Sequence, residues 1–268
     1  MDTQLRRLTL FGKHVRVAVR PGSSCGPPLV LCNGIGASLD LLQPFVDALD
    51  RSIEVVRFDV PGVGGSELPV VPYTFATLSC WLARLLDRLG YHQVDVLGIS
   101  WGGGLAQQFA FQHPRRCRRL VLVSTATGAL MVPARPRVLR RMVTPRRYRD
   151  PEYAVSLAPQ IYGGQLRRDP DLVKEVLLKE ARLGERGGYS LQLAAGIGWT
   201  SLPFLPLIRQ RTLVLAGDDD PLIPPVNARI INRLLPHSTL RTFDDGHLGI
   251  VTLADELAPA IANFLSAA

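Results

Sequence analysis

Lysine is nearly missing from this chain. Of its 31 basic residues 28 are arginine, and against 23 acidic residues they leave a net charge of +8. Such a skew can follow from genomic base composition, so the excess is a weak sign of a nucleic-acid partner and none is expected. Histidine is scarce, at five, with no two at a ligand spacing such as H-x-x-x-H. Cys25, Cys32, Cys80 and Cys117 form no C-x-x-C pair, so no metal site is expected. Four cysteines in 268 residues make no disulfide framework either, and they read as free thiols. No apolar run reaches the roughly 18 to 20 residues that span a membrane, and residues 1–7 lack the apolar core of a signal peptide, so a cytoplasmic protein is expected. Neither of the two glycine-rich loops, residues 33–36 and 59–66, has the spacing of a P-loop or of a G-x-G-x-x-G turn opening a helix. Nucleotide binding is therefore excluded, and no cofactor is expected.

What is present is a regular alternation of short apolar runs and amphipathic stretches. Residues 5–10 and 14–19 read as a hairpin, and residues 29–32, 53–58, 94–99, 120–123, 212–216 and 239–243 as further strands. Helices are predicted over 39–49, 75–89, 103–112, 226–235 and 254–265. In the second of these Leu78, Leu82, Leu85, Leu86 and Leu89 form one stripe, and Gly90 stops the helix. This pattern predicts an α/β fold with a mostly parallel eight-stranded sheet and helices on both faces. From 126 to 210 the alternation stops, and prolines at 133, 136, 145, 151, 159, 170, 203 and 206 cut the chain into short helical pieces such as 171–183. The expected organisation is a core of residues 1–125 and 211–268 with a helical cap, residues 126–210.

The chemistry centres on Gly98-Ile99-Ser100-Trp101-Gly102, a G-x-S-x-G pentapeptide between a strand and a helix. A serine nucleophile must stand clear of its own strand on a cramped turn, and glycines on either side keep side chains away from the closest approach of strand and helix. The hydroxyl is a feeble nucleophile at neutral pH and needs a base, itself oriented by an acid. His247, in Asp244-Asp245-Gly246-His247-Leu248-Gly249, follows the last strand and would stand at the same edge of the sheet as Ser100. His14, His92, His113 and His237 are read as structural or solvent-facing. Three carboxylates, Asp218, Asp219 and Asp220, follow the preceding strand. Asp220 is the candidate acid, being furthest into the loop with Pro221 fixing the chain behind it, while a neighbour caps a turn. The position after residues 120–123 holds Ser124 and Thr125 and offers no carboxylate. Oxyanion donors are expected in the backbone N–H groups of Trp101, beside the nucleophile, and Ile35, in the first glycine loop, each worth roughly 3 kcal/mol of barrier.

The order Ser100, Asp220, His247 resembles that of an α/β-hydrolase. More narrowly, Asn33-Gly34-Ile35-Gly36-Ala37, Phe58-Asp59-Val60-Pro61-Gly62-Val63-Gly64-Gly65-Ser66 and Ser100-Trp101-Gly102-Gly103 are similar to segments of the intracellular depolymerases of medium-chain-length polyhydroxyalkanoates. So are Thr144-Pro145-Arg146-Arg147-Tyr148, Ile161-Tyr162-Gly163-Gly164, Gly198-Trp199-Thr200-Ser201 and Asp244-Asp245-Gly246-His247-Leu248. The resemblance implies a serine hydrolase cleaving esters between 3-hydroxyacyl units, with Ser100, Asp220 and His247 as its triad and Asn33 where many α/β-hydrolases carry histidine. The substrate would be a hydrophobic acyl ester, polymeric or small. Acyl transfer, thioester or carbon–carbon bond hydrolysis, and a ligand-binding receptor that keeps the triad are the competing readings. An aspartate in place of Ser100 would be needed for a dehalogenase or epoxide hydrolase.

Two further features bear on partners. Leu191, Leu193, Ile197, Trp199, Leu202, Phe204, Leu205 and Leu207 offer apolar surface, expected for most to pack the cap on the core. Arg135, Arg137, Arg140, Arg141, Arg146, Arg147 and Arg149 read as a solvated helix face, with peripheral contact to a granule or anionic surface as the functional alternative.

Overall fold

A computed structural model describes residues 2–143, 150–178 and 187–267. β3 (Leu29–Cys32), β4 (Val55–Phe58) and β5 (Val94–Ile99) are buried at every position, so they belong in the middle of a sheet covered on both faces. The strand order is β1-β2-β4-β3-β5-β6-β7-β8. β1 (Gln4–Leu10) and β2 (Lys13–Arg20) run antiparallel at one edge. Pairing is parallel from β4 across to β6 (Cys117–Val123), β7 (Arg211–Gly217) and β8 (Ser238–Phe243). The expected α/β architecture is therefore present.

Alternate residues of each strand serve opposite faces. Leu120 and Leu122 join Leu82, Leu105, Phe109 and Ile231 under α2 (Phe75–Leu89), α3 (Trp101–Gln112) and α9 (Val226–Leu234). Val121 and Val123 join Phe45, Ile250, Leu257 and Ile261 under α1 (Gln43–Ala48), α10 (Gly249–Thr252) and α11 (Ala254–Ser266). β6 starts three residues before its apolar run. Its arginines are tolerated because Arg118 forks onto buried Asp95 at 2.9 and 2.5 Å, while Arg119 reaches the carbonyls of Phe264 and Ala267. The helix predicted over 39–49 is split into a 3-10 turn, Leu39–Leu42, and α1, because Pro44 has no N–H to return to the preceding turn.

Between β6 and β7 the chain leaves the sheet for α4 (Pro136–Val143), α5 (Pro151–Tyr162), α6 (Gly164–Arg168), α7 (Pro170–Leu178) and α8 (Gly188–Gly196). The predicted helix 171–183 is described only as far as Leu178. Arg135, Arg137 and Arg140 are exposed while Val138 is buried; Arg146, Arg147 and Arg149, with the segment 144–148, lie outside the described residues. Leu191, Trp199, Leu202, Phe204 and Leu205 pack on the core, whereas Leu193, Ile197 and Leu207 are exposed. Among the described residues no helix is long and apolar enough to cross a membrane.

Asp59, at the C-terminal end of β4, ties the two glycine-rich loops together. Its fully buried carboxylate accepts the N–H of Leu39 at 2.6 Å and of Gly65 at 2.7 Å and faces Arg16 at 3.5 Å. Arg16 in turn forks onto Asp40 at 2.7 and 2.8 Å. Burial raises the pKa of Asp59, and the two N–H groups and Arg16 oppose that rise. Asp59→Ala strands the buried Leu39 N–H, frees the Gly65 N–H and leaves Arg16 with Asp40 alone, so urea unfolding should show a loss of about 2 kcal/mol. A loss below about 1 kcal/mol would mean that the loops hold without it.

Candidate active site

Ser100 turns β5 into α3 with φ +54° and ψ −122°, a backbone state strained for any L-residue and held only because its surroundings fix it. Its N–H donates to Val123 O at 2.9 Å, and its carbonyl accepts from Gly103 N–H at 2.9 Å and from Thr125 Oγ1 at 2.6 Å. The flanking glycines answer a steric demand. A methyl on Gly98 would stand 2.4 Å from Gly102 O, and one on Gly102 only 2.1 Å from Cys32 O. The Ser100 side chain caps nothing, and among the described residues its hydroxyl makes no hydrogen bond, to His247 or to any other group.

His247 and Asp220 are brought together. Nδ1 of His247 lies 2.7 Å from Oδ2 of Asp220, with the residues only 2% and 5% exposed. The other carboxylate oxygen, Oδ1, accepts the N–H groups of Leu222 and Ile223, both at 2.9 Å. Asp220 thus caps its own turn with one oxygen and faces the imidazole with the other, where the sequence assigned the turn to a neighbour. Asp219 is engaged elsewhere, accepting Gly164 N–H at 2.8 Å and pairing with Arg167 at 2.8 Å.

The first glycine loop lies against the elbow, since a methyl on Gly34 would stand 3.7 Å from Cβ of Ser100. Asn33 is buried and shapes this loop: its Oδ1 accepts Gly34 N–H at 2.9 Å and its Nδ2 donates to Ser38 O. Ile35 follows, half-buried. Trp101 opens α3, so its N–H has no partner within the helix. Gln192 of α8, 1% exposed, contacts both places: its Oε1 accepts Gly36 N–H at 2.7 Å and its carbonyl accepts Trp101 Nε1–H at 2.9 Å.

The segment between β6 and β7 is keyed into the histidine loop. Tyr162 O accepts His247 N–H at 2.7 Å, and the two rings stack with centroids 6.1 Å apart. Asp245, 1% exposed, accepts Gln165 N–H at 2.6 Å and Gly246 N–H at 2.7 Å and receives Thr252 Oγ1. A methyl on Gly164 would meet Asp245 Oδ1 at 1.8 Å, and one on Gly246 would meet Tyr162 O at 2.0 Å. Trp199, below α8, donates from Nε1 to Gln108 Oε1 at 2.7 Å and packs on Phe75, which also packs on Trp101. Sequence reasoning missed Gln192, Asp245 and Tyr162. The glycines at 163, 164 and 246 were the one visible signal that two backbones meet there.

Other nucleophiles and ligands are poorly placed. Burial pushes the thiols of Cys32 and Cys117 well up, so they stay protonated, and all four cysteines are free. Among the described residues no cluster of His, Cys, Asp or Glu could hold a metal ion.

The α/β hydrolase fold family matches residues 27–252 of the chain. The chain is 52% identical over 260 residues to the poly(3-hydroxyalkanoate) depolymerase of Ectopseudomonas oleovorans, an alignment spanning 97% of this chain and 92% of that one. It is similar in structure to a hydrolase from Pseudomonas aeruginosa PA01, with TM-score 0.82, 27% identity and 98% of both chains covered. It is similar also to the enol-lactonase from Burkholderia xenovorans LB400, with TM-score 0.82, 24% identity, and 98% and 100% of the two chains covered; at that identity the likeness carries the fold alone.

Proposed function

The chain belongs to the α/β-hydrolase family, and on that premise we propose that it hydrolyses ester bonds between medium-chain 3-hydroxyacyl units through an acyl-enzyme on Ser100. The observation that carries this reading is the buried pair of His247 and Asp220, 2.7 Å apart, in a chain whose strained G-x-S-x-G turn presents a serine hydroxyl with no partner among the described residues. Asp220 keeps the proton on Nδ1, which leaves Nε2 as the acceptor. Nε2 takes the hydroxyl proton as Oγ attacks the ester carbonyl, and the N–H groups of Trp101 and Ile35 receive the developing oxyanion. The imidazolium then gives its proton to the departing alkoxide oxygen, which leaves as a hydroxyl, and water repeats the sequence to free the acid. Residues 126–210 act as a cap that closes over this chemistry, held to the histidine loop through Tyr162, Gly164 and Asp245.

The 52% identity to a poly(3-hydroxyalkanoate) depolymerase supports this substrate class. Incubation with an amorphous poly(3-hydroxyoctanoate) emulsion should release 3-hydroxyoctanoate and short oligomers, read by mass spectrometry. Turnover of simple esters with no product from polymer or oligomer would reduce the protein to a small-ester hydrolase. Capture of the acyl group by added alcohol in preference to water would make it a transferase.

A further inference from the structure

We propose that Gln192 is a positioning residue for the oxyanion hole, through which α8 sets the geometry of the first glycine loop. The inference rests on the ester-hydrolase reading above and adds to it a residue that lies 91 positions from Trp101 and 156 from Gly36.

Two contacts leave one residue in opposite directions. The side-chain oxygen of Gln192 takes the N–H of Gly36, and its backbone carbonyl takes the indole N–H of Trp101. Gly36 has φ +72° and closes a tight turn in which Ala37 N–H returns to Gly34 O at 3.3 Å. That long internal bond is a weak restraint on the Gly34–Ile35 peptide, which carries both its acceptor, Gly34 O, and the Ile35 N–H. The 2.7 Å bond from Gln192 fixes the next peptide, and so the direction in which Ile35 N–H points. On the other side of the hole, the indole bond anchors the residue whose backbone N–H is the second donor. Both halves are thus referred to a single residue, 1% exposed.

Helix α8 is itself firmly seated. A methyl on Gly188 would meet Gly62 O at 1.8 Å, so the start of the helix lies directly on the second glycine loop. Beyond its far end Trp199 is bonded to Gln108 and packed on Phe75. Gln192 therefore transmits the placement of a braced helix to the loop that needs it, and catalysis responds because an oxyanion donor misaligned by a fraction of an ångström loses much of its worth.

Gln192→Met keeps the length of the side chain and the backbone carbonyl but removes the acceptor for Gly36. With a 3-hydroxyacyl p-nitrophenyl ester, kcat should fall about 10- to 100-fold while KM changes less than about threefold. Affinity for a trifluoromethyl ketone, which forms an oxyanion on Ser100, should fall by the same factor as kcat. The Gly36 amide should exchange with deuterium at least about tenfold faster, whereas Gln192→Glu, which retains an acceptor, should keep it slow. Unchanged kcat in Gln192→Met, or a rise in KM alone, overturns the proposal. If that variant does not fold, fast Gly36 exchange in Gln192→Glu overturns it instead. Should the wild type hydrolyse no ester, the functional reading fails, and the exchange data still decide whether Gln192 holds the loop.

Discussion

Ser100→Ala is expected to lower kcat on a medium-chain 3-hydroxyacyl ester by about 10⁵- to 10⁶-fold, to the level that binding and oxyanion donors sustain without a nucleophile. The fold should barely register the change. Oγ makes no hydrogen bond among the described residues, the backbone bonds to Val123, Gly103 and Thr125 do not involve the side chain, and alanine at φ +54° is no more strained than serine. Unfolding stability should therefore move by less than about 0.5 kcal/mol, which separates lost chemistry from lost structure. The same variant should lose labelling by a fluorophosphonate, which the wild type takes up once per chain at Ser100. A variant that keeps more than a hundredth of wild-type kcat, with the substitution verified by mass, would remove Ser100 from the mechanism. It would also leave the strain at its backbone without a purpose.

The elbow was readable in the sequence because its chemistry demands small residues in a fixed order, and the steric clashes at Gly98 and Gly102 are what that order avoids. The strands were readable because four-residue apolar runs buried on both faces have little else to become. Their ends were harder to place, as β6 shows: Arg118 and Arg119 look like loop residues until Asp95 and the end of α11 are seen to receive them. The choice among Asp218, Asp219 and Asp220 rested on loop position, on Pro221 behind the third of them and on the family resemblance. Its physical basis is burial, since Asp218 is exposed, Asp219 turns outward to Arg167, and Asp220 is enclosed with the imidazole. Gln192 was not legible at all. A single glutamine among the apolar residues of α8 follows no periodicity, and its partners lie far away along the chain. Contacts between a helix and loops it meets only in the folded state leave no local pattern, and those of Gln192 with Gly36 and Trp101 are of that kind.

Asp220→Asn should cost about 10⁴-fold in kcat, although it changes one atom and preserves the shape of the site. The reason lies in the unequal surroundings of the two carboxylate oxygens. Oδ1 is held by two backbone donors, Leu222 N–H and Ile223 N–H, and an amide in this place must turn its oxygen toward them, because its NH₂ group would face two buried donors otherwise. The NH₂ group is then forced onto the position of Oδ2, 2.7 Å from Nδ1 of His247. It donates where the carboxylate accepted, so Nδ1 must give up its proton and Nε2 carries it instead. An imidazole in that tautomer has no lone pair toward Ser100 and cannot take the hydroxyl proton. The downfield proton resonance of Nδ1–H expected in the wild type should vanish in the variant, while KM and the unfolding midpoint stay close to wild type. Asp220→Ala should differ in kind, for it also releases Leu222 and Ile223 and should lose about 1 to 2 kcal/mol of stability. Asp219→Asn, acting on a partly exposed ion pair with Arg167, should change kcat less than about tenfold. Retention of more than a tenth of wild-type kcat in Asp220→Asn would show that this carboxylate does not orient the base. Asp245, two residues before His247 and just as deeply buried, would then be the next to replace.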